Sequence, residues 1–213
     1  MVHYTRKDID GLKHIQRINL INSCSGYKSA NLLATISQDG ITNVAVFSSV
    51  THLGSNPPVL GFILRPTSIP RNTYKNIKET GVFTINHIYN EIIEDAHHTS
   101  AKYPEHISEF DMTSLEVEYK KNCCAPFVKR SPVQLKMKYL EEYFIKTNEV
   151  LHIIAEIQDI YVNDDLLEED GFINLAKGKI AAINGLDAYA IAKENTRFEY
   201  QRPKVLDEKA KAT

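Results

Sequence analysis

The dipeptide Asp39-Gly40 stands between two runs of β-type residues, Leu32–Ser37 and Asn43–Val50. It commits this part of the chain to an antiparallel hairpin, because a two-residue turn needs positive φ, which glycine adopts freely and aspartate tolerates. The texture that follows repeats the message. PVLGFILR (58–65) is a third strand, and its nearly continuous apolar run predicts burial on both faces. RNTYKNIKETG (71–81) reads as a short helix stopped at Gly81, followed by the strand VFTINHI (82–88). The segment NEIIEDAHHTSAKYPEHISEFD (90–111) starts helical and becomes irregular at Tyr103-Pro104.

Three further strands are expected: VQLKMKYLEEYFI (133–145), EVLHIIAEIQDIYV (149–162) and GFINL (171–175). In the first of them Val133, Leu135, Met137 and Tyr139 alternate with polar residues, so one face is wet. The tail from Lys177 to Pro203 is expected to be irregular with a short helical piece, and the residues beyond Pro203 to fray. At the other end Ile9, Leu12, Ile15 and Ile18 form a partial helical stripe interrupted by Gly11. About seven strands and a few short helices, without an alternating strand–helix rhythm, predict a mainly β fold: a barrel with helices packed outside it. No repeat or linker divides the chain, so residues 1–213 read as one domain, with 1–20 an N-terminal extension and 204–213 a frayed tail.

Composition narrows the function classes. With 213 residues, 43% of them hydrophobic, the chain can bury one sizeable core. A net charge of -2 and a pI near 6.4 disfavour an electrostatically driven nucleic-acid binder. No window approaches a membrane span, and the polar start MVHYTRKDIDGLKH does not resemble a signal peptide. Cys24, Cys123 and Cys124 lack framework or zinc-ligand spacing and read as reduced thiols, so a cytoplasmic location is expected.

The candidate chemistry is sparse. There is no GxGxxG, no GxxxxGK[ST] and no GxSxG. Two stretches could hold an anion through hydroxyls, backbone N–H groups and arginine. One is Ser48-Ser49 after the strand NVAVF; the other is RPTSIPRNTYKNI, with Arg65, Arg71 and Thr73 ahead of the short helix. His97-His98 and His106 read as surface or loop histidines, since neighbours on a helix point apart and no carboxylate completes a metal set. His87, after Asn86 at a strand tip, turns toward a pocket, and His52 sits in the loop after Val50; neither has a carboxylate neighbour that would mark a general base. A β-rich domain with an anion-holding hairpin and no autonomous catalytic side chain fits an enzyme whose cofactor carries the chemistry. No metal site is expected.

The series NLLATISQDGITNVAVFSSVTHLGSNPPVLGFILRP, RNTYKNIKETGVFTINH, AHHTSAKYPEHISEFD, APFVKRSP and INGLDAYAI resembles the flavin reductase-like family, from about Asn22 to Pro203. The residues that carry the likeness are Asn43, Ala45, Phe47 and Ser48; Pro57 and Pro58; and Arg71, Thr73, Asn76 and Ile77. It departs at AHHTS, where the family more often has glutamine in place of His98. The resemblance implies an FMN-binding split β-barrel of Greek-key type. It implies FMN lined by Phe47, Ser48, Ser49, Val50 and Thr51, its phosphate facing Arg71 and Thr73 with Arg65 as helper, and Asn86 and His87 approaching the ring or ribityl chain. His52, His97 and Tyr189 are the substrate-side candidates. The implied activity is electron transfer from NADH or NADPH through flavin N5 to free flavin, a ferric chelate or a partner oxygenase. The alternatives are a flavoredoxin-like carrier without its own turnover, and a non-enzymatic flavin- or haem-binding protein. The implied assembly is a homodimer with FMN near the interface. The apolar runs PVLGFILR and VLHIIAEI agree, since they exceed what one face of a small barrel buries.

Overall fold

A computed structural model describes residues 1–66 and 68–203; the tail expected at 204–213 lies outside the described residues. Helices α1 (Arg6–Gly11) and α2 (His14–Cys24) open the chain. Thr5 caps α1, its hydroxyl accepting from the Asp8 N–H while the Asp8 carboxylate accepts from the Thr5 N–H. Then come β1 (Lys28–Ser29), β2 (Asn31–Ile36), β3 (Thr42–Phe47), β4 (Thr51–Ser55), β5 (Pro58–Leu64), α3 (Asn72–Thr80) and β6 (Val82–His87). After α4 (Ile93–His98) follow the short β7 (Val117–Glu118) and β8 (Phe127–Val128), the long β9 (Val133–Ile145) and β10 (Val150–Val162), and the hairpin β11 (Ala181–Asn184) and β12 (Ala188–Ile191).

Seven strands form one antiparallel sheet in the order β3-β2-β6-β9-β10-β5-β4. Its two edge strands, β3 and β4, are joined by only three residues, Ser48 to Val50. Three residues reach roughly 14 Å at full extension, so the sheet must curl until its edges meet. Ser49 clasps the seam: its hydroxyl accepts from the Ile63 N–H and donates to the Ile63 C=O, both at 3.1 Å. The free edge of β3 is covered by the loop at Ser108-Glu109, where the Glu109 carboxylate accepts from the Val44 N–H at 3.0 Å. Burial raises the Glu109 pKa.

Side chains alternate across the curled sheet and build two cores. Leu33, Phe62, Leu64, Phe83, Ile85, Leu135, Met137 and Ile153 fill the interior, with Ile77 of α3 closing one end. Phe62 meets Phe47 and Phe83 edge-on, at centroid distances of 5.3 and 5.6 Å. On the outer face Leu32, Ala34 and Val44 pack under Ala96, Phe110, Ala181 and Ile183. Helix α3 is pinned by amides: Asn43 Nδ2 donates to the Thr73 hydroxyl at 3.1 Å, and Asn76 Nδ2 to the Thr35 hydroxyl at 3.0 Å.

Four sequence expectations are corrected. GFINL is not a strand; only Ile173 bridges back to Leu167 within a turn-rich stretch. The tail holds no helix among the described residues: Ala181–Ile191 is a β-hairpin, because β1 offers an edge that pairs with β11. The loop after Val50 contains strand β4, paired to β5. Finally, β5 is buried mainly on its inner face at Phe62 and Leu64, while Val59 and Ile63 stay partly exposed. Gly61 is the exception, since a Cβ there would collide with the His152 ring and approach Leu53 Cδ1 to 2.9 Å.

Phe62 bridges two aromatic partners in a site with 1% exposure. Phe62→Ala is therefore expected to cost about 3–5 kcal/mol, read as a lower urea midpoint with an unchanged m-value.

Candidate functional site

The seam concentrates the candidate residues. Because β3 ends at Phe47, the backbone of Ser48, Ser49 and Val50 leaves the ladder, and their three N–H groups donate to no acceptor among the described residues. The Ser49 hydroxyl is spent on Ile63, and the Val50 carbonyl accepts from the Ser29 hydroxyl at 2.9 Å. What remains on offer is a row of backbone donors in a turn that itself carries no ionisable side chain. Thr51 lies exposed opposite Gly61, and exposed His52 hydrogen-bonds Ser55 Oγ at 3.1 Å.

A second feature is the start of α3. No side chain caps this nine-residue helix, and its N-cap residue is Arg71. Arg71 is partly buried, and its Nε is enclosed without a hydrogen-bond partner among the described residues. An enclosed guanidinium donor at an uncapped helix start is a place where an anion relieves two deficits at once. The Thr73 hydroxyl accepts from Asn43, which leaves its own O–H without an acceptor among the described residues. Arg65 is exposed, at the end of β5.

The third feature lies at the mouth of the barrel. Phe47, Asn31 and His87 are direct cross-strand partners in succession, so their side chains share one face. Asn31 is 2% exposed, yet its Nδ2 has no partner; nor does Nδ1 of His87. Burial pushes the His87 pKa down to about 4, which keeps the imidazole neutral. Both residues line a cavity of about 280 Å³ whose other walls are Ser29, Ala176, Ala181 and Ala182.

Asn86 is corrected. It points away from His87, is fully buried, and spends its amide on the Leu32 carbonyl, the Thr84 hydroxyl and the Val128 N–H. It braces the sheet and lines neither that cavity nor the larger cleft by the hairpin. His97 and Tyr189 do meet, at 3.3 Å between Nδ1 and the hydroxyl with the rings edge-to-face, although they lie 92 residues apart. His98 turns instead to the Tyr103 hydroxyl. A larger cleft, about 370 Å³, sits by the hairpin, lined by Asp39, Thr42, Asn43, Asn72, Glu105 and His106. Asp39 and Glu105 disfavour an anion within it, and it lies at the opposite end of β3 from the seam, beside Asn72 at the start of α3. Among the described residues no three His, Cys, Asp or Glu side chains group to hold a metal ion, and no helix is long and apolar enough to cross a membrane. The cysteines are free.

Asn31, Ser29 and Glu109 were not singled out by sequence reasoning. Only Asn31 leaves a trace there: an amide residue opening a mostly apolar strand, in the same register as Leu33 and Thr35.

Comparison with known proteins adds three findings. The profile of the flavin reductase like domain matches residues 25–182. A split-barrel crystal structure from Shewanella frigidimarina, provisionally named a flavin reductase, superposes with a TM-score of 0.91 at 43% identity, covering 94% of this chain and all of that one. An uncharacterized protein of Aquifex aeolicus is 30% identical over 147 residues, which is 68% of this chain and 74% of that protein. At 13% identity, where only the fold is informative, an FMN-binding protein of Thermus thermophilus superposes with a TM-score of 0.69 over 82% of this chain and 92% of its own.

His87 carries a pH consequence. Its folded pKa near 4 lies below the unfolded value of about 6.5, so between these values the unfolded chain binds the extra proton. The stability is fully present above pH 6.5 and is lost as pH falls through about 4. The raised pKa of Glu109 acts with the opposite sign. Urea midpoints from pH 7 to 4 should therefore fall more steeply in wild type than in His87→Gln; parallel curves would show that His87 is not the titrating group.

Proposed function

Because the chain belongs to the flavin reductase like domain family, we propose that it is an FMN-dependent oxidoreductase drawing electrons from NADH or NADPH. The observation that carries the reading is Arg71, whose enclosed Nε lacks an acceptor at the uncapped start of α3. A phosphate there would supply the missing acceptor and meet the unpaired helix amides. The three unused N–H groups of Ser48 to Val50 suit the heteroatom edge of a flavin ring, and the neutrality of the turn keeps fixed charges away from it. When bound, the flavin supplies the hydride-accepting and hydride-donating chemistry. The chain's part is to hold the phosphate, present backbone donors to the ring and exclude water. Three free cysteines fit a reducing, cytoplasmic setting.

The same reading includes a two-fold homodimer whose partner covers the flavin. The end of β9 is apolar on both faces, with Tyr143 and Ile145 on one side and Phe144 on the other, 37–58% exposed, a tip that a second copy would cover. The electron acceptor is then free flavin, a ferric chelate or an oxygenase partner.

The purified protein should bind FMN with a dissociation constant below about 10 μM, followed by quenching of flavin fluorescence. Arg71→Ala should weaken binding roughly ten- to a hundredfold, and Arg65→Ala less. Titrations of Arg71→Ala that match wild type would move the phosphate elsewhere. Anaerobic NADH or NADPH should bleach the bound flavin; a yellow protein inert to both would be a carrier.

Light scattering should find a dimer, and Phe144→Asp should shift it toward monomer while lowering FMN occupancy. A monomer with full occupancy at low micromolar concentration would remove the partner from the pocket.

A further inference from the structure

The larger cleft, beside the first hairpin, has no part in the proposed flavin chemistry. Two of its lining residues are nearly buried, Asn43 at 5% exposure and Asn76 at 3%. Both give Nδ2 to a threonine hydroxyl, Asn43 to Thr73 and Asn76 to Thr35. Neither Oδ1 accepts a hydrogen bond among the described residues, yet neither is sealed off as an enclosed orphan. In residues this buried, an open oxygen points to the cleft that they line. The two amides are also neighbours. Asn43 is the cross-strand partner of Thr35, and Thr73 stands one helical turn before Asn76, so the two hydrogen bonds close a ring of four side chains. One cleft wall thus presents two acceptors that lack donors, a deficit that a donor-bearing ligand relieves.

Charge selects among donors. Asp39 of the hairpin turn and Glu105 of the loop after α4 line the rim, and no lysine or arginine lines the cleft. That loop is tied to β3 by Ser108 and Glu109, which bond the Thr42 hydroxyl and the Val44 N–H. Exposed Lys75 is hydrogen-bonded to Glu105; its pKa is raised by that bond and further by Glu79 and Asp39. Three carboxylates act on this one ammonium, so the rim keeps an excess of negative charge. His106, the remaining ionisable lining residue, is exposed beside Glu105, and Ile41 adds an apolar stretch of wall.

We infer that this cleft binds a small aliphatic diamine, one ammonium donating to Asn43 Oδ1 and Asn76 Oδ1, the other held at the rim by Asp39 and Glu105, with the chain along Ile41. Size supports the class. A cavity of about 150 Å³ accommodates benzene, so about 370 Å³ takes a short chain with two ammonium ends. A bare divalent cation needs about six or more oxygens within roughly 2.6 Å, and among the described residues no three His, Cys, Asp or Glu side chains group to hold one. The cleft and the Ser48–Val50 turn lie at opposite ends of β3, so the inference does not depend on the flavin.

The test titrates the full-length protein as purified with 1,4-diaminobutane, its neutral isostere 1,4-butanediol, and Ca²⁺. Calorimetry should show one diamine per chain, bound about tenfold or more tighter than the diol, because charge-assisted hydrogen bonds are about twice as strong as neutral ones. The side-chain NH₂ signals of Asn43 and Asn76 in ¹H–¹⁵N spectra should move along the same saturation curve, a readout that needs no variant. Asp39→Asn together with Glu105→Gln, both at exposed positions, should weaken the diamine about 2- to 30-fold, as expected for two exposed ion pairs, while the diol is unaffected. FMN affinity should be the same with and without saturating diamine. No saturation below about 10 mM, a diol that binds as tightly as the diamine, or Asn43 and Asn76 signals that stay still would overturn the inference. Displacement of the diamine by Ca²⁺ would make this a metal site instead, and mutual exclusion with FMN would place the flavin in the cleft; either result refutes a separate diamine site.

Discussion

Everything in this molecule follows from the shortness of one connection. The edge strands β3 and β4 lie at opposite ends of a seven-stranded sheet, yet only Ser48, Ser49 and Val50 join them. A sheet with that tether cannot stay open. Curling brings Ile63 within reach of Ser49, whose hydroxyl replaces the backbone pairing that the seam lacks. The same curl turns Phe62, Phe83 and Ile153 inward onto one core and leaves the outer face of β2 and β3 to be covered by α4 and the β11–β12 hairpin.

Closing the seam also explains why the candidate residues collect there. Residues that finish a curled sheet must leave the ladder, and leaving it frees backbone donors. Ser48 to Val50 do so at the edge, while the start of α3 does so on the other side of β3, where Asn43 and Thr73 lock the helix to the strand. The barrel mouth then places Phe47, Asn31 and His87 in one row. A donor row continues β3, an enclosed arginine opens the helix locked to that strand, and a mostly apolar cavity lies against β2 and β6; none depends on an ionised catalytic side chain. That economy is what a cofactor-dependent protein needs.

Much of this was legible in the residues. Asp39-Gly40 announced the first hairpin, and Gly40 has φ +83 in its turn. The helix before Gly81, the strand to His87 and the long pair Val133–Ile145 and Val150–Val162 follow from periodicity and stop signals. Local chemistry decides these elements, so local reading finds them. The misses have a common cause. Ala181–Ile191 is rich in alanine and reads as helical alone, but the edge of β1 recruits it into a sheet. Thr51–Ser55 reads as a loop until β5 lies beside it. Asn86 looks like a pocket residue from its place at a strand tip, but strand parity sends it to the face opposite His87, where three partners absorb its amide.

The sequence by itself determined the class of fold and the family, because turn residues and strand alternation act over a few positions; the two stretches it marked for an anion rest on hydroxyls and arginine near a helix start. Only the tertiary structure decided which of those groups are free. Ser49 has the right chemistry for a ligand but spends its hydroxyl both ways on Ile63, whereas Thr73 accepts from Asn43 and keeps its own O–H to give. Arg71 Nε, Asn31 Nδ2 and His87 Nδ1 are enclosed with no partner. Whether a polar atom is satisfied depends on neighbours that are tens of residues away along the chain, as with the 30 residues between Asn43 and Thr73 or the 56 from Asn31 to His87. Sequence spacing carries no record of such distances; the curl of the sheet creates them.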